Sequence, residues 1–155
     1  MKVIRPYGWA FLWGAWLALC ITGCEWLESE ENFYSNYSEI QSTGNKGMWI
    51  PPFLPPSAVD IREFHYIDNR SVWITFRFKD PSNEWPENAG CRRVDSPPTM
   101  PSKMRVRAIW WPDELTAEHH STDGPQPYEF FECSGDLGGS IAVRALQYDE
   151  AFFWR

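Results

Sequence analysis

One stretch of strict alternation limits the folds open to this chain more than any other feature. Between Ser71 and Lys79, Val72, Ile74, Phe76 and Phe78 alternate with Trp73, Thr75, Arg77 and Lys79. A period of two places four apolar side chains on one face of an extended strand, and no helix can do the same. Glu63–Asp68 reads as the preceding strand and Asp68-Asn69-Arg70 as the turn, so a hairpin is the expected nucleus of the fold. Thirteen prolines and ten glycines spread over 155 residues argue against a helical bundle. Further strands are expected at Arg105–Trp111 (Val106, Ala108 and Trp110 on one face, Pro112 ending it), Tyr128–Cys133, Ser140–Gln147 and Ala151–Trp154. Gly135, Gly138 and Gly139 supply a turn between two of them, and Tyr148-Asp149-Glu150 turns into the last. A helical turn at Ala58–Arg62 capped by Ser57, and two turns at Asp113–His120 capped by Asp113, complete the pattern. The expected class is α+β or mainly β: a small antiparallel sheet of five or six short strands with one or two short helices.

Charge narrows the partners. The formal net charge is -7, from 21 acidic and 14 basic side chains. A binder of phosphate backbones needs clustered cations, so nucleic acid is not an expected partner. Hydrophobic residues make up 43% of the chain, enough to bury a core, and no internal repeat divides it.

The N-terminus has a different composition. Lys2 and Arg5 form a cationic head, followed by the uncharged run YGWAFLWGAWLALCITG from Tyr7 to Gly23. That order matches a secretory signal. The run ends in Ile21-Thr22-Gly23-Cys24, which resembles the lipobox of bacterial lipoproteins: a branched apolar residue, two small residues, then cysteine. The resemblance implies a diacylglyceryl thioether on Cys24, cleavage before it by signal peptidase II, and acylation (palmitate, for example) of the freed amine. Cys20 does not fit, because Leu19 before it is too bulky. Two other readings stay open: an uncleaved membrane anchor, since 17 residues sit at the lower limit for spanning, and a buried apolar N-terminus.

The same resemblance places the protein in the bacterial cell envelope, attached to the membrane through its N-terminal lipid. Enteric bacteria retain lipoproteins in the inner membrane through an aspartate after the cysteine. Glu25 stands there instead, so the outer membrane, facing the periplasm, is expected. Trp49–Phe78 and the closing Ala151-Phe152-Phe153-Trp154-Arg155 also resemble a group of small uncharacterised envelope lipoproteins carrying W-I-P-x-x-L-P-x-S-A-x-x-I, which runs here from Trp49 to Ile61. That likeness implies no activity.

Three regions follow: a signal peptide at 1–23, a lipidated N-terminus and flexible tether at 24–48, and a globular domain at 49–155. The tether expectation rests on Glu25, Glu28, Glu30 and Glu31, followed by Asn, Ser, Tyr and Gly. As a coil it would span about 25–30 Å. The alternative is a short helix over Trp26–Tyr37, packed through Trp26, Phe33 and Tyr37. Trp49-Ile50-Pro51-Pro52-Phe53-Leu54-Pro55-Pro56 opens the domain, and its prolines favour extended, polyproline-like backbone lying across a sheet face. Asp80–Ser102 reads as a proline-rich loop around Cys91. In the oxidising compartment that the lipobox implies, Cys91 and Cys133 are expected to form a disulfide pinning that loop to the sheet. The bridge would close a loop of roughly 43 residues and contribute about 4 kcal/mol in the chain-entropy model. A metal site using His65, His119 or His120 is the competing reading.

No G-x-S-x-G, H-E-x-x-H, P-loop or paired C-x-x-C occurs, so no catalytic residue, metal or cofactor is assigned. His119 and His120 lie beside Glu118 and Asp123, but adjacent helical residues do not face each other. Cys133-Ser134-Gly135-Asp136 resembles a nucleophile loop only while Cys133 is reduced. Aromatic residues, at 17%, are the stronger anomaly. Trp73 lies opposite Val72 and Ile74, and Trp110 and Trp111 cannot both enter one core. These three form a candidate binding surface unless both sheet faces are covered. Two functional readings result. The first is an envelope lipoprotein with a structural or protein-interaction role, whose acidity could steer it to a basic partner. The second is a glycan- or small-ligand-binding lipoprotein, with peptidoglycan as neighbour.

Overall fold

The structure is a computed structural model that describes residues 29–43, 49–79, 84–97, 99–102, 108–119, 127–134, 138–144 and 149–155. The signal segment, Cys24, His120 and residues 105–107 of the strand expected at 105–111 lie outside the described residues.

The described residues form seven strands in one sheet: β1 (Ser29–Asn36), β2 (Val59–Tyr66), β3 (Val72–Arg77), β4 (Cys91–Val94), β5 (Tyr128–Cys133), β6 (Gly139–Arg144) and β7 (Glu150–Trp154). Every neighbouring pair is antiparallel, in the order β1-β2-β3-β7-β6-β5-β4. The fold is mainly β, as expected. Helix α1 (Tyr37–Thr43) follows β1, and the four-residue α2 (Trp85–Asn88) precedes β4.

The hairpin of β2 and β3 forms as the alternation requires. Tyr66 N–H donates to Ser71 C=O, the Asn69 side chain accepts from Ser71 N–H, and Arg70 takes a left-handed φ of 58°. Ala58–Arg62 is not helical, because β2 already runs from Val59, through an irregularity at which Asp60 has φ 52°. β-branched Val59 and Ile61 favour the pleat over the helix.

Both faces of the sheet are covered. On one, Ile61, Val72, Ile74, Phe76, Phe131, Ile141, Val143, Ala151 and Phe153 pack against Ile40 of α1, Trp85 of α2 and the proline segment. On the other, Phe64, Trp73, Phe130, Ala142, Phe152 and Trp154 pack under Ala108, Trp111 and Leu115. The central strands are therefore apolar on alternate and intervening positions alike.

The proline segment is turned rather than extended. Leu54 N–H donates to Pro51 C=O and Ala58 N–H to Pro55 C=O, so Pro-Pro-x-Leu and Pro-Pro-x-Ala form two successive turns. Each has proline at its second position, where φ is already set, and each buries its fourth residue. Leu54 and Ala58 thereby reach the sheet face together.

The tether expectation is corrected from Ser29 onward. β1 pairs with β2 along its length, from Ser29 opposite Tyr66 to Asn36 opposite Val59. Asn36 Oδ1 accepts from Glu39 N–H at 3.1 Å, and Glu39 Oε2 accepts from Ser35 N–H at 2.7 Å. This reciprocal Asn-x-x-Glu cap starts α1. β1 reads as a tether because only Tyr34 enters the core; its other inward groups are polar.

Two further expectations change. Within 80–102, Cys91 belongs to β4 rather than to a loop. Gly90, at φ 84°, ends α2 and turns the chain into that strand. Asp113–Leu115 is a single tight turn with Pro112 at its cap position, and Ala108–Trp111 is a turn, not a strand, closed by Trp111 N–H on Ala108 C=O.

Cys91 and Cys133 are bonded, with Cα atoms 4.1 Å apart. They are direct ladder partners, so the bridge ties edge strand β4 to β5. Replacing both with alanine should lower stability by about 2–4 kcal/mol in urea unfolding. Gly139 sits where a Cβ would meet Trp154 O at 2.5 Å and the Phe153 ring at 2.6 Å. Gly139→Ala should therefore cost about 1–3 kcal/mol, read as a lower Tm, because neither backbone nor core ring can yield freely.

Candidate functional site

The described residues bring one cluster of ionisable groups into the interior. Alternation on β2 turns Ile61, Glu63 and His65 to the face covered by the proline segment, and Glu63 and His65 are 1% and 2% exposed. On β1 the same alternation sends Glu30, Asn32 and Tyr34 to that face. Glu63 Oε1 and His65 Nδ1 share a hydrogen bond of 2.5 Å. Asn32 Nδ2 donates to the other carboxylate oxygen at 2.9 Å. Glu30 Oε2 lies 3.9 Å from His65 Nε2 and is largely exposed. Trp49 lies flat on the imidazole, with ring centroids 3.9 Å apart and planes 14° apart.

Residues from β1, β2 and the proline segment thus converge on one buried acid–base pair. Burial pushes the Glu63 carboxyl above the ordinary glutamate range. Asn32 and His65 oppose that rise, and the Glu30 charge adds to it. The opposite strand offers only apolar neighbours, since Glu63 faces Ile74 and His65 faces Val72 in the ladder. Chemically the arrangement can hold a proton in the Glu63–His65 hydrogen bond. Three elements depend on it for polar satisfaction, so it pins β1 and Trp49 to the sheet.

Sequence reading named His65 only as a possible metal ligand. Among the described residues no group of three or more His, Cys, Asp or Glu is placed to hold a metal ion, and both cysteines are used in the disulfide. The signal that could have found the pair was Glu63-x-His65, two polar residues on the inward phase of a strand. His119 lies exposed on the turn after Leu115, its Nδ1 3.2 Å from the Thr116 hydroxyl.

The candidate aromatic surface is largely dismantled. Trp73 is 3% and Trp111 6% exposed. Trp111 packs edge-on against Phe152 and Trp154 and donates to Leu115 C=O. Trp154 in turn donates to Thr99 C=O at 2.8 Å. Ala108, Trp111 and Leu115, with Met100 packed against them, therefore cover the face of β3 that the alternation left open. Trp110 alone stays half-buried, donating to Glu31 Oε1 at 2.6 Å. Its neighbour Ile109 is fully exposed, and Phe33, two residues beyond Glu31 on the same face of β1, is 56% exposed.

Residues 28–77 match the family described as the YbbD head domain. The matched span runs from the start of β1 to the end of β3, under half of the chain, and contains the whole Glu63–His65 cluster. YbbD-like proteins are bacterial envelope proteins, and the match is consistent with an envelope protein here. Neither the curated proteins nor the solved structures gave a match. No helix among the described residues is long and apolar enough to cross a membrane.

The raised Glu63 pKa has a definite sign. A carboxyl whose folded pKa exceeds its unfolded one binds its proton more tightly when folded. Its contribution to stability is full below the unfolded pKa and is lost as pH rises through the folded one. Glu63→Gln stays neutral and keeps the shape. Its stability relative to the parent should therefore increase as pH rises through and above the ordinary glutamate range, read from urea midpoints at each pH. A parallel pair of curves would contradict this account.

Proposed function

We propose that this protein is a lipid-anchored lipoprotein of the bacterial envelope, with a structural or protein-interaction role and no catalytic chemistry. The lipobox at Ile21-Thr22-Gly23-Cys24 supports the anchor, and the head-domain match over 28–77 supports the compartment. Glu25 after the cysteine favours the outer membrane, with the domain facing the periplasm.

One observation carries the interaction role. Phe33, Trp110 and Ile109 leave apolar surface beside β1, around the Trp110–Glu31 hydrogen bond, while the rest of the large apolar side chains are mostly buried in two clusters. An exposed apolar strip of this kind, with Glu31 at Trp110 and Arg62 opposite Phe33, suits a protein partner with a matching apolar patch. Glycan stacking has less support, because two of the three tryptophans it needs are in the core.

Mass spectrometry of the native protein should show acyl chains on Cys24 and no residues 1–23. Cys24→Ala should leave a larger, unprocessed precursor. A full-length unmodified chain would refute the anchor. For the interaction role, a photocrosslinker at Ile109 should yield a discrete envelope adduct that one at Arg92, on the far edge, does not.

A further inference from the structure

We infer that the sheet stands with one end on the lipid bilayer: the end carrying the 67–70 turn and Arg155 rests on the membrane surface, and the opposite end points away from it. The inference rests on the anchoring at Cys24 proposed above and adds an orientation and a lipid-contact surface to it.

Chain length is the first argument. β1 starts at Ser29. Only residues 25–28 lie between it and Cys24, and five Cα–Cα steps reach at most about 18 Å. The lift of a 24-residue tether is therefore not available. From Ser29 to Asn36, β1 spans about 23 Å, so the Ser29 end of the sheet is the one held within reach of Cys24 and the Asn36 end is free to stand that much farther off.

Register is the second argument. Ser29 pairs with Tyr66, His65 with Val72, Trp73 with Trp154, Ser140 with Trp154, and Gly139 and Cys91 both with Cys133. The start of β1, the 67–70 turn, Arg155 and the disulfide consequently share one end. Asn36, Val59, Arg77, Glu150, Arg144, Tyr128 and Val94 share the other.

The chemistry of the two ends differs. At the anchored end, Ile67 projects from the turn, 55% exposed, with Arg70 three residues on. Arg70 is close enough to Arg155 that its charge, after burial, helps lower the Arg155 pKa. An exposed isoleucine on the same turn as the exposed Arg70 suits the headgroup layer: the side chain enters it and the Arg70 guanidinium meets lipid phosphates. Asp68 is the one carboxylate of that turn. At the far end Arg77 is engaged by Asp60 and Asp149, and Arg144 by Glu150. Those charges pair with one another, and the exposed apolar residue described there, Val59, is 36% exposed against 55% for Ile67.

The test uses the native lipidated protein in vesicles of phosphatidylethanolamine and phosphatidylglycerol. Nitroxides are attached at Ile67→Cys, Lys79→Cys or Phe33→Cys, with the Cys91–Cys133 bridge kept oxidised. On vesicles the label at 67 should lose most of its collisions with a water-soluble nickel chelate, while the label at 79 keeps them. A Gly/Ser spacer of twenty residues inserted before Ser29 should restore access at 67. Protection that survives the spacer still supports the contact, since the surface then holds lipid unaided. Equal access at 67 and 79 overturns the orientation, as does protection at 33 without protection at 67, which would lay the β1 edge on the membrane. Mass spectrometry of the same sample separates the two failures. Missing acyl chains refute the anchor, whereas intact acyl chains with an accessible 67 refute the orientation alone.

Discussion

The pairing of β3 with β7 joins two antiparallel halves that are otherwise separate in sequence. Trp73 faces Trp154, Ile74 faces Phe153, Thr75 faces Phe152 and Phe76 faces Ala151. Each of these strands presents large apolar groups on both faces, so the ladder could not stand in water on either side. That demand recruits the proline segment and both helices to one face and residues 108–116 to the other. Burying a side chain of this size stabilises by roughly 1.5–3 kcal/mol, and the central residues are buried almost without exception. The outer strands are secured differently: β1 by its ladder and polar pin, β4 by four ladder partners and a disulfide.

Against that apolar background the Glu63–His65 pair is the main departure. A buried carboxyl and imidazole are costly unless they are hydrogen-bonded; here they bond to each other, Asn32 donates to the carboxylate, and the flat indole of Trp49 lies over the ring. The partners come from β1 and from the chain just before the double proline turn. The pair therefore couples the edge strand to the lid of the core. It also makes the edge half of the sheet the place where stability responds to pH. The head-domain match covers this same half, β1 to β3, which ties the polar pin to the part of the chain with a recognisable relative.

The proposed anchor and the fold bear on each other through distance. A strand beginning at Ser29 leaves little chain between lipid and sheet, so the domain is held near the membrane rather than lifted from it. The exposed strip of Phe33, Trp110 and Ile109 then lies on the side of the sheet, reachable by an envelope partner while the 67–70 turn meets lipid.

Local periodicity determined much of this protein in advance. The alternation at 72–78 produced β3, the apolar runs at 128–133 and 140–144 produced β5 and β6, and the two remaining cysteines of the folded part could pair only with each other. The strands depend on neighbours one or two residues away, which is the information a sequence carries directly, and the cysteine pairing followed from there being two candidates. Tertiary structure decided the rest. β1 is polar enough to pass for a tether, and it becomes a strand only because β2 offers Glu63 and His65 to its Asn32 and Glu30. Trp73 and Trp111 look like surplus indoles until residues 108–116 fold over β3, a contact between segments some forty residues apart. Cys91 reads as part of a loop until the register of β4 sets it opposite Cys133. In each case the deciding partner is distant in sequence, and the energy that selects it comes from burial and polar satisfaction that exist only once the sheet has closed.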